Sequence, residues 1–132
     1  MKTLEEVRKI FEKDRFAMQN GAVIEEIGFR SATCSLVITD SHRNSMGAVM
    51  GGTYFMLADF AFAVAANQDK MRCVTLRSDI SFLGVAKGTK LIAKATCIKE
   101  GRATSCYRVD VMDELGNLDA TVTMTGFHIA EK

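Results

Sequence analysis

One stretch limits what this chain can fold into more than any other: residues 52–66, GTYFMLADFAFAVAA, are apolar on every side of a helix except for one carboxylate, Asp59. A helix with no polar face cannot lie on a surface, so the rest of the domain has to enclose it. Gly51-Gly52 mark its start and Asn67 its end. Whatever surrounds it must be large, apolar on one side and curved.

The flanking sequence offers a sheet. Leu4, Val7, Ile10, Phe11 and then Phe16 recur at helical spacing among Glu, Lys and Arg, which predicts an amphipathic covering helix broken at Asn20-Gly21. Residues 22–28 and 31–39 alternate in the manner of strands, with Gly28 as the turn between them. Beyond Lys70 four more strands are expected at 72–83, 89–99, 103–113 and 118–130, separated by GVAKG, KEGRA and DELGN. Leu91, Ala93, Ala95 and Cys97 share one face, and Tyr107, Val109 and Val111 oppose Cys106, Arg108, Asp110 and Met112. Short connections favour antiparallel neighbours. The prediction is an α+β fold, an antiparallel β-sheet wrapped around a long central helix, as one domain over residues 1–132.

Composition narrows the function. Nearly half the residues are apolar and proline is absent, which argues against disorder. The formal net charge is +1, with basic residues scattered rather than striped, against a nucleic-acid role. The amino-terminal residues are charged throughout and no apolar run reaches a membrane span, so a cytoplasmic protein with no membrane partner is expected. Cys34, Cys73, Cys97 and Cys106 form no CxxC pair and read as small apolar fillers. With only His42 and His128 besides, neither a metal nor a redox cofactor is expected.

Asp59 carries the chemistry. A buried carboxylate suffers desolvation unless compensated, which makes it an active-site candidate; the bland alternative is a pairing with Arg77 or exposure at a subunit boundary. At the start of the same helix, the free N–H groups of Gly51 and Gly52 suit negative charge, and glycine lets a substrate approach the backbone. Each glycine read singly is more simply a turn and a helix start. Eight positions of helix separate Gly51 from Asp59 by roughly 12 Å, too far to serve one reacting carbon. Two antiparallel copies of the helix in a dimer would bring the glycine of one beside the carboxylate of the other.

The spacing of Asn44, Gly47, Gly51, Gly52, Leu57, Ala58 and Asp59 resembles the signature of the PaaI-type hotdog thioesterases, relatives of the 4-hydroxybenzoyl-CoA thioesterase family. That family shows an Asn, a Gly three positions on, His-Gly-Gly, and an Asp eight positions after the first Gly of the pair. The segment Val74 to Phe82 resembles the strand where a Ser or Thr assists the carboxylate. The resemblance covers most of the chain. It implies a hotdog fold and an acyl-CoA thioesterase acting on an aryl- or medium-chain acyl-CoA as a homodimer or homotetramer. The only coenzyme implied is the coenzyme A of the substrate itself.

By position the resemblance implies that the Gly51 amide polarises the thioester carbonyl and that Asp59 attacks or activates water. Asn44 would hold the substrate or the opposing carboxylate, and Thr75 would orient the water or Asp59. Met50 departs from the family, standing where its His stands, and a methionine neither titrates nor donates. It would line the substrate site with Gly52. His42, just upstream, reads as an exposed loop residue that could fill some of the vacated space. Lys70, Arg72, Arg77, Lys87, Lys90 and Arg102 could contact CoA phosphates, although for any one of them a solvated face is the simpler reading. Two rival functions are a non-catalytic acyl-CoA binding protein and an acyl-CoA hydratase or dehydratase, the latter lacking a visible Asp-His pairing.

Overall fold

The structure, a computed structural model, describes residues 1–129. Its elements are α1 (Leu4–Phe11), α2 (Arg15–Gln19), β1 (Val23–Gly28), β2 (Ser31–Val37), a short 3-10 turn (Asp40–His42), α3 (Gly51–Asn67), β3 (Cys73–Phe82), β4 (Lys90–Glu100), β5 (Thr104–Asp113) and β6 (Leu118–His128). The expected end of the last strand at Ala130 lies outside the described residues. The six strands form one sheet in the order β1-β2-β4-β5-β6-β3, every neighbouring pair antiparallel. This is the hotdog arrangement, with α3 lying across one face.

Period-two patterning explains that face. Leu91, Ala93 and Ala95 of β4, Tyr107, Val109 and Val111 of β5, and Ala120, Val122 and Met124 of β6 all point inward and are buried. They meet Leu57, Ala58, Ala61, Phe62, Val64 and Ala65 of α3. Alanines on both sides let the helix axis come close to the sheet, while Phe62 fills the wider gap edge-on to Tyr107, with ring centroids 5.2 Å apart. A Cβ on Gly126 would meet the Phe62 ring at 3.1 Å and press on Cys73 and Ser105, so β6 needs glycine there.

Four expectations are corrected. The covering helix is two short helices, Val7 and Phe11 of α1 and Ala17 of α2 being buried against the core. The chain turns between them, with Asp14 N–H bonded to the Phe11 carbonyl at 3.0 Å. Second, the first hairpin turns at Phe29-Arg30 rather than at Gly28, which still pairs with Ser31 inside the strand. Arg30 takes the positive φ of 50° that the turn demands. Its guanidinium sits 4.6 Å above the Phe29 ring and 3.8 Å from Glu100.

Third, β3 does not alternate. It is an edge strand whose residues are mostly exposed on both faces, Val74, Leu76 and Phe82 among them. Last, α3 is not enclosed all round: Gly52, Phe55, Met56, Asp59, Ala63 and Ala66 form a stripe at helical spacing that stays open in part, and α2 lies over some of it.

Candidate active site

The loop from Thr39 to Met50 delivers the start of α3. Within it Asn44 folds the chain on itself: its Oδ1 accepts the N–H of Met46 at 3.0 Å and of Ala48 at 3.2 Å, and Gly47 takes a φ of 82°. The Asn44 side chain thus spends its oxygen on the loop, not on Asp59 of its own chain. His42 is not the exposed residue expected; it is 4 % exposed and acts as a clamp. Its Nδ1 accepts the Thr39 N–H at 2.9 Å, so Nε2 carries the proton and donates to the Asn20 carbonyl at 2.9 Å. The His42 carbonyl accepts the Met50 N–H at 2.8 Å and the Thr53 hydroxyl at 3.2 Å, tying the end of α2 to the start of α3.

Met50 is the N-cap of α3 and offers no capping side chain. Thr53 N–H returns to the Met50 carbonyl at 2.9 Å, whereas the N–H groups of Gly51 and Gly52 meet no acceptor among the described residues. They are the free donors expected at a helix start. The Phe82 ring lies against Gly51, 3.1 Å from where a Cβ would stand, and the Met50 methyl folds to within 3.3 Å of the same point on Gly52. Phe82 and Met50, each 55 % exposed, give this donor pair an apolar rim.

Two turns further along α3, Asp59 sits on the open stripe. Thr75, delivered by β3, donates its hydroxyl to Asp59 Oδ1 at 3.4 Å. Burial pushes the Asp59 carboxyl above its ordinary range, the Thr75 bond opposes this, and the negative charge of Asp14 adds to it. The alternative pairing with Arg77 is not formed; Arg77 faces Asp79 at 3.4 Å. Beside Asp59 a cavity of about 240 Å³ opens between α2 and α3, lined on its apolar side by Phe16, Met56, Phe60 and Ala63. Asp59 and Thr75 are thus together, while the Gly51 donors stand at the far end of the same helix, as the spacing argument requires.

The basic residues are dispersed. Arg77 is on the exposed edge strand, Lys87 is in the loop after β3, Lys90 begins β4 and Arg102 is in the β4–β5 turn. Arg72 pairs with Glu100 at 3.1 Å, a carboxylate that His128 also reaches at 3.3 Å.

One group escaped the sequence reading. Asp113, at the end of β5, is buried yet accepts the Lys87 N–H at 3.0 Å, the Leu115 N–H at 3.0 Å, and the backbone and side-chain N–H of Asn117, each at 3.1 Å. Burial pushes its carboxyl up, but the donors from Asn117, Lys87 and Gly88 prevail and hold it at about 2. Glu114 beside it accepts the Thr89 N–H at 2.9 Å and the Thr89 hydroxyl at 2.8 Å. Together they fix the loop that carries Lys87. The Asp, Gly and Asn spacing of Asp113-Glu-Leu-Gly116-Asn117 was the available signal, since such an Asp commonly bonds to amides two positions on.

Known proteins resemble this chain in sequence and fold. The family model described as the thioesterase superfamily matches residues 46–120, more than half of the chain and including Gly51, Asp59 and Thr75. The acyl-coenzyme A thioesterase PaaI of Escherichia coli K12 is 29% identical over 115 residues, 86% of this chain and 81% of that protein. A mutant structure of the phenylacetic acid degradation protein PaaI from Thermus thermophilus superimposes with a TM-score of 0.81 at 28% identity, covering 88% of this chain and 100% of that one. The E. coli PaaI structure shares the fold with a TM-score of 0.87 at 23% identity, over 98% of this chain and 99% of its own.

Proposed function

The chain belongs to the thioesterase superfamily as a PaaI-type hotdog protein, and we propose that it hydrolyses an acyl-coenzyme A to free acid and coenzyme A as a single domain. The observation that carries this reading is Asp59, the one carboxylate of α3, half-open to a cavity, held by Thr75 and poised above its ordinary protonation range. Asp59 attacks the thioester carbonyl or takes the proton of a water that does. The oxygen that becomes negative is received by the free Gly51 N–H at the α3 start. The C–S bond then breaks and the thiolate leaves with a proton; where Asp59 itself has attacked, water then hydrolyses the acyl–Asp59 anhydride, which releases the acid and restores the carboxylate. The reaction asks for nothing beyond the chain, the substrate and water.

Because one helix holds donor and carboxylate apart, the proposed enzyme works as a homodimer or a tetramer of such dimers. β3 supports this: its outer edge pairs with no strand among the described residues, and it exposes Val74, Leu76 and Phe82. A second copy laid along β3 covers these side chains and aligns two α3 helices antiparallel. Asn44, with its Nδ2 left unbonded, then faces the substrate or the partner. The apolar cavity suits an aryl or medium-chain acyl group, with Met50 and Gly52 on the thioester side. Arg77, Lys87, Lys90 and Arg102 offer charge to the phosphates of coenzyme A, Lys87 from a loop already rigid. A coenzyme A ester as substrate supports a cytoplasmic location.

A hydratase reading finds no support, since His42 spends both ring nitrogens on backbone groups and His128 on Arg102 and Glu100. The test is release of free thiol from aryl-, phenylacetyl- and medium-chain acyl-CoAs by the wild type and Asp59→Asn. A fall of about 10³-fold in the variant, still folded and oligomeric, is expected. Binding of acyl-CoA without turnover by the wild type would make Met50 the mark of a protein that holds thioesters uncut.

A further inference from the structure

Asp14 has the position of a helix cap and does not act as one. It is the N-cap residue of α2, where a carboxylate ordinarily accepts an N–H of the first turn, yet its side chain makes no capping bond. Nor does that side chain hydrogen-bond to any other described residue. Only its backbone is engaged, the N–H with Phe11 and the carbonyl with Met18, both at 3.0 Å. The turn between α1 and α2 instead brings Asp14 into the lining of the same cavity as Asp59.

The charged groups facing Asp59 are therefore few. From α2 come Asp14 and Arg15; from β3 comes the neutral Thr75 hydroxyl. Arg15 forms no ion pair with either carboxylate among the described residues, so it does not cancel their repulsion at contact range. The remaining walls are Phe16, Ala17, Met56, Phe60 and Ala63, which offer no donor from their side chains. Two carboxylates line one small, partly apolar space, and the negative charge of Asp14 makes ionisation of Asp59 harder.

We propose that Asp14 is a positioning residue that acts through Asp59: its negative charge across this cavity makes Asp59 a stronger base and moves the lower pH limit of turnover upward. The inference rests on the thioesterase reading for its meaning in turnover, while the coupling of the two charges does not. Burial and the Asp14 charge raise the Asp59 carboxyl together, and a base closer to the working pH takes a proton from water more effectively. The price of giving up a cap is recovered as reactivity.

The test titrates the Asp59 side-chain carboxyl by carbon NMR in wild type, Asp14→Asn and Asp14→Glu, and sets the midpoints beside the pH profile of kcat/KM on an acyl-CoA. Asn caps helices as well as Asp does, so α2 is retained; Asp14→Ser gives a second neutral cap. In both neutral variants the Asp59 midpoint falls and the acid limb of kcat/KM moves down with it. Asp14→Glu keeps the wild-type values, and added salt narrows the difference between wild type and Asp14→Asn. An unchanged Asp59 midpoint in folded neutral variants overturns the proposal, whatever the rates do. A midpoint that falls in a protein that cleaves no acyl-CoA upholds the coupling and removes the thioesterase reading instead.

Discussion

Asp59 and Asp113 are both drawn out of water by folding, yet their carboxyls move in opposite directions. At Asp59 burial meets one long hydrogen bond, from Thr75 at 3.4 Å, and the acid form gains. At Asp113 burial is at least as deep, but backbone and side-chain donors converge on both oxygens and hold the group at about 2. The difference lies in the number of N–H groups aimed at the oxygens rather than in depth. A carboxylate saturated with donors fastens a turn; one left nearly bare keeps its lone pairs for a proton or a substrate.

The largest effect should come from undoing the saturated site. Asp113→Ala leaves several amides without their acceptor and is expected to cost about 3 kcal/mol, read by urea unfolding. The sign of its pH dependence follows from the depressed value: Asp113 contributes stability above the ordinary 3.8, lost as pH falls from there through about 2. Acid unfolding of the variant should therefore be flatter than wild type over that window. Next, Gly88→Ala would drive a Cβ into the Glu114 carboxylate and push it from Thr89, with the Lys87 loop freed to faster amide exchange.

At the bare site the changes in stability are smaller and the main effect is on activity. Thr75→Val removes the one donor, so the Asp59 midpoint rises, the acid limb of kcat/KM moves to higher pH, and kcat/KM falls about tenfold. Smallest in stability, Asp59→Asn should raise Tm at neutral pH by roughly 2 °C, beside its loss of about 10³-fold in turnover. The folded carboxyl is raised, so its ionisation weakens the fold as pH climbs from 3.8 through the folded value. Below 3.8 both forms are neutral and the gain should vanish; a gain that persists there would mean that desolvation of charge is not its source.

How much of this is legible in the chain depends on the range of the interaction. The helix expected at 52–66 is Gly51–Asn67, because an unbroken apolar run between Gly-Gly and Asn states its own limits. β4 and β5 follow from local alternation enforced by one buried face. The nearness of Thr75 to Asp59 was expected from resemblance alone, and the structure supplies the 3.4 Å contact. The break after Phe11, the burial of His42 and the role of Asp113 were missed, since each depends on a partner that the local pattern does not name: Phe60, Asn20 and Lys87. Asp14 hid for a different reason, because an Asp ahead of a helix looks like a cap.

The position of β3 at the sheet's edge bears on when the site comes into being. β3 follows α3 directly in the chain, but it pairs with β6, Ile80 against Val122, so its place exists only after β4, β5 and β6 have found one another. Such distant pairings are slow to close. During refolding the helical signal should return before catalysis, and a chain ending at Gly116 would keep Asp59 and lose the strand that holds Thr75 against it. Turnover of a thioester is thus expected to report on the completion of β6, far from Asp59 in sequence.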